Sequence, residues 1–191
     1  MHTLAAIGGV VALASHFFWM RGVWKGTLHL NLATWLLWAL FDTAIAVSSL
    51  LAGAPAPFMA IGFSIGAIAV AGTLLLKGEW RWGRFETACT LVAVVCFLIW
   101  YTAGPLLALV SFTVGKYAAG ALPTVRLAFK RPEPQQSWIW FLGTFSAATN
   151  IYVGGVWTVA QSLFPTVAFF SSTLIGLFHL RGRLAACGGL R

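Results

Sequence analysis

Two residues carry formal charge deep inside long apolar runs of this chain: Asp42 and Lys116. Ionisable side chains in such positions are costly and are retained for pathways, proton relays or pairing. Asp42 lies twelve residues past Leu30, about 18 Å along a helix axis. Lys116 lies eleven residues past Pro105 and enters from the opposite direction, so both reach the middle of a hydrocarbon core about 30 Å thick. A carboxylate and an ammonium at one depth can exchange a proton with a pathway or orient a polar solute. The alternative is a neutralised ion pair that pins two helices together, which is nearly neutral for stability until one partner is removed.

Other polar residues fall near the same level. Asn150 lies thirteen residues past Ser137, with Ser146 one turn before it and Gly154 one turn after. That face can bind a solute or hydrogen-bond across helices. Trp35, Trp38 and Asp42 stack at spacings of three and four; Trp38 can floor a cavity beside the carboxylate, while Trp35 suits the membrane interface. Ser64 and Ser172 sit where polar solute contacts would fall, although such serines often bond their own backbone one turn back. Pro123 interrupts a helical ladder and offers a hinge. His16 and His179 are placed near the basic ends of their helices, where an interface histidine is expected to be solvated. No HExxH, CxxC or phosphate-loop pattern occurs, so no catalytic residue, metal or cofactor is expected, and the chain is not read as an enzyme.

The elements that must position these residues follow from composition. The chain has 191 residues, 60% hydrophobic and 8% charged, with ten Trp and fifteen Phe. A soluble domain carries about 25% charge, so these residues cannot build a water-facing surface, and the lipid bilayer is the expected environment. Cys89 and Cys96 lie seven apart on one predicted helix and cannot bridge; Cys187 lies in the tail.

Seven apolar stretches approach the length of a membrane span: Thr3–Met20, Leu30–Leu51, Pro57–Leu76, Glu86–Ala103, Pro105–Val125, Ser137–Thr158 and Ser162–Leu180. The joints alternate between short neutral ones and longer basic ones. Of the 12 Lys and Arg residues, all but Lys116 fall in alternate joints and the C-terminal tail. The positive-inside rule then puts the N-terminus outside and the C-terminus in the cytoplasm, in a cell or bacterial inner membrane. The basic residues thereby express topology, and nucleic acid is not an expected partner. With no positive region before the first run and Arg21 and Lys25 after it, the first helix reads as retained.

An offset of 105 residues aligns Arg21 with Arg126, Lys25 with Lys130 and Trp35 with Trp140; three more residues align Pro57 with Pro165 and Ser64 with Ser172. Each unit reads helix, basic joint, helix, short neutral joint with Pro, helix. An intervening single helix gives the two units the same orientation, as in parallel repeats. The expected organisation is a first three-helix repeat over 1–80, a linker helix over 81–104, and a second repeat with a short tail over 105–191. The expected fold class is all-α: a polytopic membrane protein of seven transmembrane helices.

With Leu122-Pro123-Thr124, Lys130-Arg131, Trp138, Tyr152, Gly154, Pro165 and Gly176 in the second unit, the chain resembles the SWEET, SemiSWEET and PQ-loop transporter superfamily. The resemblance implies a carrier of a small polar solute working by alternating access at a midplane site, with proton coupling as one mode. Asp42, Lys116, Asn150, Trp38, Ser64 and Ser172 are the expected binding or coupling residues, and Pro123 the expected hinge. Thr124 stands where the family pattern has Gln after Pro, the literal Pro134-Gln135 lies in a joint, and neither Asn is on a third helix. Sugar is therefore not specified as the solute. A receptor or assembly protein on the same scaffold is the alternative, and self-association as a homo-oligomer is left open.

Overall fold

A computed structural model describes residues 2–77, 80–132, 136–153 and 158–188. These residues are all-α, without strands. The helices are α1 His2–Trp24, α2 Leu32–Leu51, α3 Phe58–Lys77, α4 Arg84–Ala103, α5 Pro105–Lys116, α6 Leu122–Lys130, α7 Ser137–Val153 and α8 Val159–Gly188, with a π-helical turn, Tyr117–Ala121, between α5 and α6.

Local chemistry sets the boundaries. Asn31 caps α2, its side chain accepting from the Ala33 N–H at 3.2 Å, as capping residues do for otherwise unpaired helix donors. Gly104 adopts φ 82°, a left-handed value that glycine takes without penalty, and its N–H closes α4 onto the Trp100 carbonyl at 3.2 Å. Pro105 then opens α5, where its missing N–H costs nothing. Further along, the Leu122 N–H reaches back five residues to the Tyr117 carbonyl. The wide turn ends one residue short of Pro123, with Leu122 between, and Pro123 has no N–H to give the carbonyl four residues back.

Among the described residues, five helices are long and apolar enough to cross a membrane: Thr3–Trp24 within α1, α2, α3, α4 and Val159–Gly182 within α8. Their outward faces carry Ile65, Ile68, Leu75, Leu91, Val95 and Leu98, an apolar surface too continuous for water. The chain is a multi-pass integral membrane protein. Two of the seven anticipated spans differ from the rest. Pro105–Val125 is divided by the π turn, leaving α5 as a shorter apolar helix. The stretch Ser137–Thr158 holds the 17-residue α7, and Gly154 lies outside the described residues, as do Pro134, Gln135 and Arg191.

The packing has a regular pattern. Helix α3 packs against both α1 and α2, and α8 packs against α7 and the α5–α6 helix; across these groups α1 meets α7 and α2 meets α5. Helix α4 lies on α5, α2 and the π turn. Small residues permit the closest approach: a Cβ at Gly62 would run into the Gly9 carbonyl, and one at Gly66 into the His16 ring. The main core cluster gathers Leu37, Phe41, Ile45, Met59, Leu109, Phe112 and Phe164.

Candidate functional site

Asp42 and Lys116 meet. The Lys116 ammonium forms a direct ion pair with Asp42 Oδ1, both side chains being buried. The pair crosses the contact between α2 and α5. It exists there because the middle of α2 passes the C-terminal end of α5, so each charge finds its partner where neither finds water. The ammonium is also boxed by rings: Trp38 at 5.0 Å, Phe164 at 5.4 Å, Phe63 at 5.5 Å and Tyr117 at 5.8 Å from the ring centroids. Cation–π attraction at such distances strengthens when the site is desolvated. Asp42 Oδ2 has no protein partner.

Above the pair lies a cavity of about 690 Å³. It opens among the basic joints, through Thr27–Asn31 and Arg131, and descends past Thr34, Trp19, Trp140 and His179 to Trp38, Phe63, His16 and Ser172. Trp19 stands between Trp35 and Trp140, with centroids 6.0 and 5.9 Å away. Trp38 and Phe63 form part of the cavity wall while facing the Lys116 ammonium, so the ion pair lies directly behind the cavity's aromatic end.

A polar network frames the cavity mouth. Glu86 Oε1 accepts from Asn31 Nδ2 and from Thr34 Oγ1, both at 2.8 Å. Its Oε2 accepts from the Gly83 N–H at 2.9 Å, placing a carboxylate where a helix N-terminus favours it. Asn31 also exchanges bonds with the Arg81 backbone at 2.8 and 3.0 Å. Helix α4 is thereby tied to the start of α2.

Among the described residues, the opposite end of the bundle is shut. Gln161 Oε1 accepts from the Ala56 N–H at 3.1 Å, and its Nε2 donates to the Ala56 carbonyl at 3.2 Å. Below this bridge a void of about 10 Å³ is bordered by Ser49, Met59, Asn150, Phe164 and Pro165, among others.

The expected residues divide between these places. Trp38 and Ser172 border the large cavity. Asn150 lies at the closed end, its Nδ2 donating to the Ser146 carbonyl at 3.0 Å. Ser64 is in neither void; its hydroxyl lies 2.9 Å from Thr43 Oγ1, joining α3 to α2. Pro123 lies one residue beyond the π turn, outside both voids. His16 and His179, anticipated at a solvated interface, are buried, because α1 and α8 continue to Trp24 and Gly188. The His16 ring packs edge-on to Phe63 at 5.2 Å, and its Nδ1 lies 2.8 Å from the Ala12 carbonyl. Cys89 and Cys96 are buried, and neither is in a disulfide among the described residues.

Sequence reasoning passed over Trp19, Trp140, Phe63 and Gln161. The alignment of Trp35 with Trp140 was the available signal, since residues equivalent in two packed units can face one axis. Gln161 had none: it reads as part of a neutral joint. No protein-family model, curated protein or solved structure matches the chain.

Proposed function

We propose that the chain is a carrier of a small polar solute, working by alternating access between two three-helix units. The observation that carries this reading is the cavity of about 690 Å³, whose aromatic end, at Trp38 and Phe63, backs onto the charged pair joining α2 to α5. Its volume falls in the range of about 300–1,000 Å³ typical of small-molecule sites. The packing pattern supports the two units: α1, α2 and α3 form the first, α5–α6, α7 and α8 the second, and α4 links them. Each unit keeps its third helix between its other two, and the contacts across the axis, α1 with α7 and α2 with α5, are reciprocal. Exchange of first-to-second contacts is what a two-fold axis along the membrane normal produces. This layout agrees with the SWEET-like resemblance, and the basic joints support a cytoplasmic cavity mouth and an outside N-terminus.

In this reading Asp42 is the coupling carboxylate. Rocking of the units separates α2 from α5, so the pair is made in one state of the cycle and broken in the other. The experiment is uptake by proteoliposomes across a panel of small neutral, cationic and anionic solutes, with and without a pH gradient. Uptake driven by the gradient, lost in Asp42→Asn while downhill exchange persists in part, is the expected result. Failure of every solute to enter overturns the carrier reading.

A second reading is favoured by the directness of the ion pair itself: on a receptor or assembly scaffold, Asp42 and Lys116 would be a static lock. The lock predicts that Asp42→Asn/Lys116→Met regains the stability that Asp42→Asn loses. A stable double variant that still accumulates solute on a proton gradient sinks coupling through this pair.

A further inference from the structure

Among the described residues, five buried side-chain atoms lack a protein partner: Asp42 Oδ2, Ser48 Oγ, Thr113 Oγ1, Asn150 Oδ1 and Trp140 Nε1. Trp140 borders the large cavity. The other four lie at the ion pair or beyond it, along the halves of α2, α5 and α7 that lead away from the cavity. Asn150 Oδ1 belongs to the side chain bordering the small void under Gln161. Buried polar atoms are rarely left unpaired, because each forfeits its bonds to water. Four of them at the ion pair or beyond it mark a region that is polar by composition and shut by packing.

What shuts it is the Gln161–Ala56 bridge. A side-chain amide that both accepts from and donates to one backbone residue imitates a strand pair, and here both bonds are buried. The bridge joins the α2–α3 joint to the first turn of α8, and so one proposed unit to the other. Those backbone groups have no other hydrogen-bond partner among the described residues, so the bridge can part only when water replaces it.

We propose that this end is the second mouth of the carrier, latched by Gln161, and that Asp42, Ser48, Thr113 and Asn150 line the half-pathway it closes. The proposal rests on the alternating-access reading. When the latch parts, water reaches the four unpaired atoms, and the gain offsets the loss of the two bridge bonds. Opening the latch draws α8 and the α2–α3 joint apart, which closes the large cavity at the other end.

The test reads thiol accessibility in nanodiscs, where both faces meet the reagent. In a background with Cys89, Cys96 and Cys187 replaced by Ala, Ser49→Cys reports the shut end and Ser172→Cys the large cavity. Labelling by a membrane-impermeant methanethiosulfonate should be slow at position 49 and fast at 172. Gln161→Ala should raise the first rate about tenfold and lower the second, since removing two buried bonds shifts a two-state balance by that order. Gln161→Glu, which keeps the acceptor for the Ala56 N–H and loses the donor, should fall between and serves if the alanine variant does not fold. Unchanged rates in both variants overturn the latch, and so does a rise at 49 without a fall at 172, the mark of local loosening. Reciprocal labelling in a protein that moves no solute would sustain the latch and overturn the carrier reading instead.

Discussion

The two ends of the bundle are built from similar sequence and differ in how their polar groups are treated. At the basic end, Ser172, Thr34 and the Trp19–Trp35–Trp140 cluster surround open space, and the polar network of Glu86 and Asn31 sits at the rim. At the other end, Ser146, Thr149 and Asn150 are packed against α1 so closely that Gly8 has no room for a Cβ. One end spends its small residues on a cavity and the other on contact. In the two-unit reading proposed above, such asymmetry is a statement about conformation: equivalent helices separate at one end because they touch at the other.

The sharpest way to break that comparison is to attack the pair where the two halves meet. Asp42→Asn leaves Lys116 buried, boxed by four rings and without its counter-charge. Removing one member of a buried pair costs about 3–5 kcal/mol, so the variant should show a large fall in thermal midpoint in detergent. Asp42→Asn/Lys116→Met should recover most of it. A single variant as stable as the parent would mean that the pair does not hold the halves together.

A matched pair of serine substitutions sharpens the comparison at smaller scale. Ser146 donates to the Gly8 carbonyl at 2.7 Å, across the α1–α7 contact. Its replacement by Ala should cost about 1 kcal/mol, the net worth of one buried bond. Ser172 borders the cavity, where water can replace protein partners, and Ser172→Ala should stay within about 0.5 kcal/mol. Chemical or thermal unfolding of the two variants side by side is the check. Equal costs would say that the cavity end is packed as firmly as the shut end.

These contrasts explain which features were legible in the chain. Helix class, the apolar exterior and the depth of Asp42 and Lys116 follow from hydropathy and a rise of about 1.5 Å per residue, and so could be read directly. The meeting of the two charges required knowing that α2 packs on α5, which the 105-residue offset implied but no local pattern states. Ser64 illustrates the limit. The offset pairs it with Ser172, yet a rotation of one helix face decides whether a hydroxyl meets Thr43 or a cavity. His16 was misplaced because α1 runs four residues past the apolar stretch, burying a ring that composition assigned to the interface. Gln161 was illegible for a different reason: its partner is backbone, and backbone carries no residue code.

The smallest expected effect concerns Pro123. A π turn holds one residue more than the α-helical path through the same span, and such turns recur at functional positions. Here it lies directly after Lys116 and carries Gly120, whose site for a Cβ is 3.3 Å from Trp38 Nε1. Thr124 Oγ1 stays bonded to the Gly120 carbonyl at 2.9 Å. Pro123→Ala supplies an N–H that an ordinary helical ladder could use. Annealing the turn, however, would rotate α6 against α5 by about 100°, one residue's share of a 3.6-residue turn. Lys116 is held by Asp42, and Ala128 of α6 is buried, so neither segment can make that rotation in the resting structure. The thermal midpoint should therefore barely move. In the proposed transport cycle the added donor acts while the units rock and the pair is apart, when it favours the stiffer α-helical path. Initial uptake rate should fall about two- to threefold with KM unchanged, as expected for a conformational step rather than a binding contact. An unaltered rate would remove the turn from the transport cycle and leave it as a consequence of the proline alone.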